Sequence, residues 1–334
     1  MCHRLKNTCL TFLTALAFCN YTKLQTKRRR MLQKFTFPHA HSANWDKLDQ
    51  ICQQEMQHLI HSLKKEMDTA SDDDKQNTSA VVDIKELIMK ACGNIFNEYF
   101  CSRPRSEYDD QTFTEYVQNF DKIFWEVNNG RACDFLPWLM PFLKLDGSLK
   151  KMEEYTSGVR AFVEEEIIEP KKQQTEEIKI QKDGTKTNGD FLDSLMTYIN
   201  EDTDDYDDSK TDDQKDNEVK IDRPIALYAL EDILGGHCAV GNITLRIIND
   251  LAKNNNNIEE NNKSAQRIIQ REVDANIGHG KFVTLDNKKD LHWMTAAIHE
   301  TIRLTCSPIV PHQASKDSSI NGKRKLLFKT LNWK

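Results

Sequence analysis

The stretch HETIRLTCSPIVPH, His299 to His312, joins a helical pattern to a strand-like segment that carries two prolines and ends in histidine. Glu300 and Arg303 stand three residues apart, so on a helix they share a face and can form a salt bridge. The pair alone is weak evidence, because Glu-x-x-Arg occurs on many solvated helices, where such a pair contributes less than about 1 kcal/mol. What precedes and follows it therefore decides its meaning.

Composition favours a helical protein. The 334 residues include only 12 glycines and 8 prolines, whereas helix-forming Leu, Lys, Glu and Gln are plentiful. The formal net charge is -6, and the acids concentrate between Glu201 and Asp216, so nothing indicates a nucleic-acid partner. The nine cysteines show no C-x-x-C spacing, which fits free thiols in a reducing compartment.

An apolar run near the start, CLTFLTALAFC from Cys9 to Cys19, is followed by the basic stretch Lys27 to Arg30. A membrane helix needs about 20 apolar residues, and this run has about half of that. We therefore expect a soluble helix with a basic end in place of a targeting segment or anchor.

Elsewhere, apolar residues recur at three- and four-residue steps, as they do on one face of an amphipathic helix. The segments with this pattern are 45–67, 81–99, 113–127, 150–168, 264–277 and 291–304.

Residues 169–221 have a different character. They are rich in Lys, Glu, Asp and Thr and cannot bury enough apolar area to offset the entropy of ordering. We predict a mostly disordered acidic insertion, in which one short amphipathic helix, 190–199, docks on the body of the protein.

A long apolar segment follows, from Asp222, a candidate N-cap, to Leu251. About 30 residues at 1.5 Å each would cross a whole domain, so we predict a buried central helix. Gly235-Gly236 in its middle costs about 1 kcal/mol per glycine relative to alanine. Two explanations stay open: a flat group approaches or the helix bends there, or a neighbouring helix packs closely.

The order of these features resembles that of the cytochrome P450 monooxygenases, in which a long helix crosses the haem face and a later helix carries Glu-x-x-Arg. The segments that further resemble the Spook-type P450s of arthropod ecdysteroid hormone synthesis are NFDKIFWEVNNGRACDFLPWLMPF, DFLDSLM, LEDILGGHCAVGN and RLTCSPIVPH.

The resemblance implies a mainly α fold, a cytochrome P450 fold truncated to the C to K helices, with minor β structure. It divides the chain into residues 1–168 with the C to G helices, the insertion 169–221, residues 222–322 with the I, J and K helices and the following strand, and a tail, 323–334, that no longer follows the family.

The resemblance also implies a haem cofactor. His312 matches a position that donates to a haem propionate, a charge-assisted hydrogen bond. Either Arg28 or Arg29 matches a basic residue of the C helix with the same task. Which of the two arginines occupies this position stays open.

The resemblance also implies roles for two further pairs of residues. Glu300 and Arg303 match the K-helix pair that locks the haem-proximal core of the family through a buried network. Ile309 and Val310 match a turn that lines the substrate pocket.

The long helix departs from the usual family pattern, in which Gly-x-Asp/Glu-Thr supplies an acid and an alcohol to the oxygen-binding region. Here Gly235, Gly236, His237, Cys238 and Ala239 place cysteine at the acid and alanine at the alcohol. His237 is able to titrate near neutral pH, or it is a buried and structurally satisfied side chain. Spook-type sequences depart from the usual pattern in a similar way.

The segment that carries the axial thiolate in the family, Phe-x-x-Gly-x-x-x-Cys-x-Gly, does not occur in these 334 residues. Cys306 comes too soon after Arg303 to be that ligand, so no metal ligand is assigned. The match also begins near the C helix, without an amino-terminal anchor. We therefore expect a partial chain without thiolate-bound haem and without monooxygenase turnover.

The family implies a sterol-like substrate, a P450 reductase as electron donor, and a location on the cytosolic face of the endoplasmic reticulum membrane. The alternative is a non-catalytic, truncated helical protein that keeps residual binding of lipophilic ligands and a membrane-facing surface at Phe135 to Phe142.

Overall fold

The computed structural model describes residues 23–73, 82–128, 148–180, 189–200, 223–253, 264–305, 319–320 and 323–324. In chain order its elements are α1 Lys23–Thr36, α2 Ala43–Asp73, α3 Ile84–Cys101, α4 Gln111–Asn128, α5 Ser148–Phe162, a π-helix Val163–Ile168, α6 Glu169–Ile180, α7 Phe191–Asn200, α8 Arg223–Leu234, α9 Gly236–Lys253, α10 Ala265–Asn276, a 3₁₀-helix Leu285–Asp290, α11 His292–Thr305, β1 Ser319–Ile320 and β2 Lys323–Arg324.

The mainly helical fold expected from the sequence is confirmed. The described β structure is one antiparallel pair, β1 and β2, in which Ser319 pairs with Arg324 and Ile320 with Lys323. None of the described helices is both long enough and apolar enough to cross a bilayer. The apolar run Cys9 to Cys19 and the aromatic segment Phe135 to Phe142 lie outside the described residues.

Helical structure continues past residue 169, where the sequence changes character. The rod that begins with α5 continues through the π-helix and α6 to Ile180. Lys171 donates to Asp190 at 2.8 Å and lies 3.0 Å from Asp193, so α6 is tied to the start of α7. Sequence hydropathy misses such a helix because an ion pair, and not an apolar stripe, fastens it.

Helix α7 packs deeply into the core. Phe191 and Leu192 have no exposed surface. Its first turn is closed by reciprocal hydrogen bonds, since the Asp190 and Asp193 backbone N–H groups each donate to the other residue's carboxylate at 2.8 Å.

The continuous central helix predicted for residues 222–251 is instead two helices, α8 and α9, that meet at Gly235. Burial is also less complete than predicted: Val240 and Ile248 of α9 are 46% and 40% exposed. Apolar residues around nearly the whole circumference indicated burial, but α9 turns one side towards solvent.

Aromatic rings form the centre of the core. The rings of Tyr116 and Phe162 stack with centroids 4.0 Å apart, and Phe113 lies 6.1 Å from Tyr116. These rings bring α4 against α5, and the α7 and α8 side chains complete the cluster. Fully or nearly fully buried members also include Val163, Ile168, Phe191, Leu192, Leu195, Leu230 and Leu234.

Candidate functional site

The glycine pair lies at a break in the hydrogen bonding of the long helix. The Gly235 N–H still donates to Glu231 O at 2.8 Å, but the Cys238 N–H donates to Gly235 O at 3.2 Å, a shorter step than the α-helical one. The carbonyl of Leu234 thereby loses its usual backbone donor.

Aromatic rings cover both glycines. A Cβ atom at Gly235 would lie 2.9 Å from Phe120 Cε1, and one at Gly236 would lie 2.9 Å from Phe96 Cε1. The glycines are therefore needed for close approach of α3 and α4 side chains. Both open explanations contribute: the helix is interrupted, and neighbouring helices pack tightly on it.

His237 is completely buried beside the break. Its Nδ1 lies 2.7 Å from Leu234 O, and its Nε2 lies 3.4 Å from Cys238 Sγ. Its ring is 5.2 Å from the Phe120 ring and 6.1 Å from the Tyr116 ring. The structure thus matches the interpretation of His237 as a satisfied core side chain.

The electrostatic environment of His237 and Cys238 disfavours a change in the protonation state of either side chain near neutral pH. Burial lowers the pKa of His237 to about 4, although the Leu234 hydrogen bond and the Asp121 charge oppose the shift. Burial also raises the pKa of the Cys238 thiol, with smaller contributions from Asp121 and Cys92. The lowered pKa does not fit the alternative in which His237 titrates near neutral pH.

The salt bridge predicted from spacing is formed in α11. Arg303 Nε and Nη2 donate to Glu300 Oε2 and Oε1 at 2.7 and 2.6 Å, and the hydrogen bond from Arg303 lowers the pKa of Glu300. The two side chains are 66% and 54% exposed. In this part of the chain the pair lies at the surface, unlike the buried network that the resemblance implied.

The residues assigned to haem and to the substrate pocket are only partly described. Arg29 lies exposed on α1, whereas the Arg28 side chain, Ile309, Val310 and His312 lie outside the described residues, as does Cys306. Among the described side chains no group of three or more His, Cys, Asp or Glu could hold a metal ion.

Exposed apolar side chains on two neighbouring helices are compatible with binding of a flat hydrophobic group. Helices α9 and α11 pack against each other, and each exposes aliphatic residues: Val240 and Ile248 on α9, Ile302 and Leu304 on α11. An apolar ring system is compatible with such surfaces.

A buried carboxylate that sequence reasoning missed links α2 to α3 and to the loop after it. Glu55 accepts hydrogen bonds from Asn94 Nδ2 at 3.0 Å, Tyr108 OH at 2.6 Å and Arg105 Nε at 3.0 Å. Burial raises its pKa, and these partners oppose the shift. The signal available was its register, one turn from the buried Ile51 on the apolar face of α2.

Similarity to known proteins extends over most of the chain. The family model for cytochrome P450 matches residues 8–220 and 260–329. The match omits the segment with Gly235 and Gly236 and extends past the boundary predicted at residue 322.

Curated relatives include cytochrome P450 307a1 from Drosophila melanogaster, 34% identical over 309 residues, which cover 92% of this chain and 49% of that protein. The steroid 17-alpha-hydroxylase/17,20 lyase of Mesocricetus auratus is 24% identical over 72% of this chain and 45% of that protein. The chain thus spans about half the length of these relatives.

Among solved structures, a zebra fish cytochrome P450 in complex with progesterone superposes with a TM-score of 0.61. It is 19% identical, and the match covers 97% of this chain and 64% of that one. The shared fold and the sequence matches lead to one conclusion: this chain belongs to the cytochrome P450 family, whose cofactor is haem.

Proposed function

We propose that this chain is part of a haem-thiolate monooxygenase that acts on a sterol-type precursor of an ecdysteroid hormone. The observation that carries the proposal is the 34% identity to cytochrome P450 307a1 over 92% of the chain. The Spook-type segments named above point to the same substrate class. Similarity to a steroid 17-alpha-hydroxylase/17,20 lyase is consistent with a polycyclic, apolar substrate.

Haem held by a cysteine thiolate would supply the oxygen activation. In this proposal His312 and either Arg28 or Arg29 hold the propionates, and Ile309 and Val310 line the substrate pocket. Glu300 and Arg303 position the helix that leads into that turn.

Gly235, Gly236, His237 and Cys238 form the part of the long helix that faces the oxygen-binding region. Electrons come from a P450 reductase, at the cytosolic face of the endoplasmic reticulum. A membrane surface is a further partner.

The experiment for the family activity uses the product of the whole transcript, read beyond the codon for Lys334. We expect it to encode a Phe-x-x-Gly-x-x-x-Cys-x-Gly segment and to convert a sterol precursor in the presence of reductase. A panel of sterols with a long-chain fatty acid as control tests the substrate class. Turnover of the fatty acid but of none of the sterols would contradict the sterol assignment.

For the 334-residue polypeptide alone we propose no thiolate-bound haem and no turnover, because the ligand segment does not occur in its sequence. Expression with haem precursor, followed by the absorption spectrum of the reduced, CO-bound protein, tests this. A thiolate-type Soret band would overturn it.

The second candidate is a non-catalytic protein that binds a lipophilic ligand. The exposed aliphatic side chains of α9 and α11 favour it. Titration of the 334-residue polypeptide with a labelled sterol should then saturate, and Val240→Asp should weaken binding. A linear, unsaturable signal would exclude this candidate.

A further inference from the structure

We infer that His237 and Cys238 form a neutral hydrogen-bonded chain that fixes the break in the long helix, so that His237 is a positioning residue and not a proton donor. The structural part of this inference stands on the contacts of the described residues. Its meaning for oxygen chemistry rests on the proposed monooxygenase function.

The chain begins at the carbonyl that the break leaves unpaired. In a regular α-helix Leu234 O would accept from the Cys238 N–H, but that group bonds to Gly235 O instead. The His237 ring takes its place, with Nδ1 at 2.7 Å from Leu234 O. A buried carbonyl without any donor costs about 1–3 kcal/mol, so this contact stabilises the broken geometry.

The direction of the hydrogen bonds follows from what each atom can do. A carbonyl oxygen only accepts, so Nδ1 carries the proton. A neutral imidazole has one N–H group, which leaves Nε2 as an acceptor. The thiol of Cys238, 3.4 Å away, therefore donates to Nε2. Every polar atom of the two side chains then has a partner, with both groups uncharged.

The surroundings favour the uncharged state. Rings from α3 and α4 enclose the imidazole, with Phe96, Tyr116 and Phe120 at centroid distances of 6.3, 6.1 and 5.2 Å. The ring has no exposed surface. A charged imidazolium here would be costly, since none of the carboxylates that the structure describes is hydrogen-bonded to it.

The other titratable groups around the pair do not change this balance. Asp121 of α4 is the acidic group whose charge acts on both residues, but it is 2.6 Å from Lys85 Nζ and accepts from Asn242 Nδ2 at 3.3 Å. Cys92 of α3 and Tyr116 of α4 are buried and held in their neutral forms, because burial raises the pKa of each.

A consequence concerns the family's acid-alcohol positions. Cys238 stands at the acid position, but its proton is committed to His237, and Ala239 has none to give. Protons for a bound oxygen molecule would then reach it from groups other than these two residues. His237 contributes by holding α8 and α9 at the angle that the break defines.

The first experiment reads the tautomer directly. The 334-residue polypeptide is labelled with ¹⁵N-histidine, and the His237 signals are assigned by their loss in His237→Asn. We expect a protonated Nδ1, an unprotonated Nε2, and no change between about pH 8 and about pH 5.5, a range in which an ordinary histidine titrates. A protonated Nε2, or a midpoint near 6.5, would overturn the inference.

The ten histidines of the chain provide an internal reference. Their signals are recorded over the same pH range. If all ten titrate together, the enclosed site does not form, and the inference also fails.

The second experiment separates the two hydrogen bonds by substitution. Asparagine places a donor near the position of Nδ1, whereas glutamine places it farther out and phenylalanine has none. Amide hydrogen exchange of peptides that span Leu234 to Val240 should be about tenfold or more faster in His237→Gln and His237→Phe than in His237→Asn. Equal exchange in the three variants would contradict the cap on Leu234.

Cys238→Ala tests the other end of the chain. It should shift the Nε2 resonance while leaving Nδ1 protonated. An unchanged Nε2 resonance would show that the thiol does not donate. Because none of these measurements requires haem, sterol or turnover, their failure is distinct from failure of the proposed function.

Discussion

Arg160 on α5 and Glu231 on α8 form a bidentate ion pair between residues 71 positions apart in the sequence. Arg160 Nη2 donates to Glu231 Oε2 at 2.7 Å, and Nε donates to Oε1. The guanidinium also lies over the Tyr228 ring at 5.0 Å. This contact fastens α5 to α8, the first half of the predicted central helix, one turn before the break at Gly235.

Loss of the Arg160 side chain should leave the Glu231 carboxylate without its cation. The pair is partly buried, with side chains 30% and 14% exposed, so we expect Arg160→Met to reduce the free energy of unfolding by about 2–3 kcal/mol, below the value for fully buried pairs. Denaturant unfolding measures this. Arg246→Met, which removes an exposed pair with Asp250, is the matched control and should cost less than about 0.5 kcal/mol. Equal losses in the two variants would refute the assigned difference.

Lys171 should matter more than its neighbour Lys172. Lys171 reaches the buried Asp190, whereas Lys172 pairs with the exposed Glu169 in its own helix. We expect Lys171→Met to release α7 and to increase the rate of proteolytic cleavage near Phe191 by about tenfold, and Lys172→Met to leave it nearly unchanged. Limited proteolysis with mass spectrometry compares the two. Similar cleavage rates would show that the ion pair does not hold α7.

Gly236→Ala should be destabilising although alanine is the better helix former. The new Cβ would lie 2.9 Å from Phe96 Cε1, so the ring must move within a packed aromatic group. We expect a loss of about 1–2 kcal/mol. In the double variant with Phe96→Leu, the smaller side chain should recover about 1 kcal/mol relative to the sum of the two single changes. Strict additivity would mean that the ring does not confine this glycine.

The start of α11 should loosen in acid. Glu272 of α10 accepts from the Trp293 and Met294 backbone N–H groups at 2.9 and 3.1 Å. Slight burial raises the pKa of Glu272, but these hydrogen bonds lower it more, and the net shift is downward. A lowered folded-state pKa stabilises the fold above the ordinary value of 4.5, and this contribution is lost as the pH falls through the folded-state pKa.

Hydrogen exchange of the peptide that begins at Trp293 measures this effect. Its protection should fall below about pH 4.5 in the natural chain. Glu272→Gln should show reduced protection at neutral pH and a weaker dependence on acid. A pH dependence that persists unchanged in Glu272→Gln would assign it to another carboxylate.

Periodicity in the sequence predicted most helices because local apolar spacing dictates them. The pattern between residues 291 and 304 corresponds to α11, and the Glu300–Arg303 contact follows from a spacing of three residues. What spacing could not predict is exposure, since that depends on which other segments cover the helix. The pair is formed as expected, yet it lies at the surface in the described part of the chain.

The environment of His237 shows where sequence reasoning ends. Its hydrogen-bond partners Leu234 and Cys238 are neighbours in the chain, but the rings that lower its pKa come from α3 and α4, more than 100 positions earlier. Local sequence therefore left both titration and burial of His237 open. Burial of Glu55 was missed for the same reason, because its partners Asn94, Arg105 and Tyr108 belong to later segments.

The π-helix Val163–Ile168 allows one continuous helical segment, residues 148–180, to contact two sets of partners that lie in different directions around its axis. The Glu169 N–H donates to Glu164 O, a step of five residues instead of four. The wider turn changes the rotation of α6 relative to α5 about the helix axis. Before it, α5 turns Phe162 into the aromatic core; after it, α6 delivers Lys171 to Asp190. Regular α-helical winding of the same residues would rotate α6 by about 100°, which would carry the lysine away from its carboxylate.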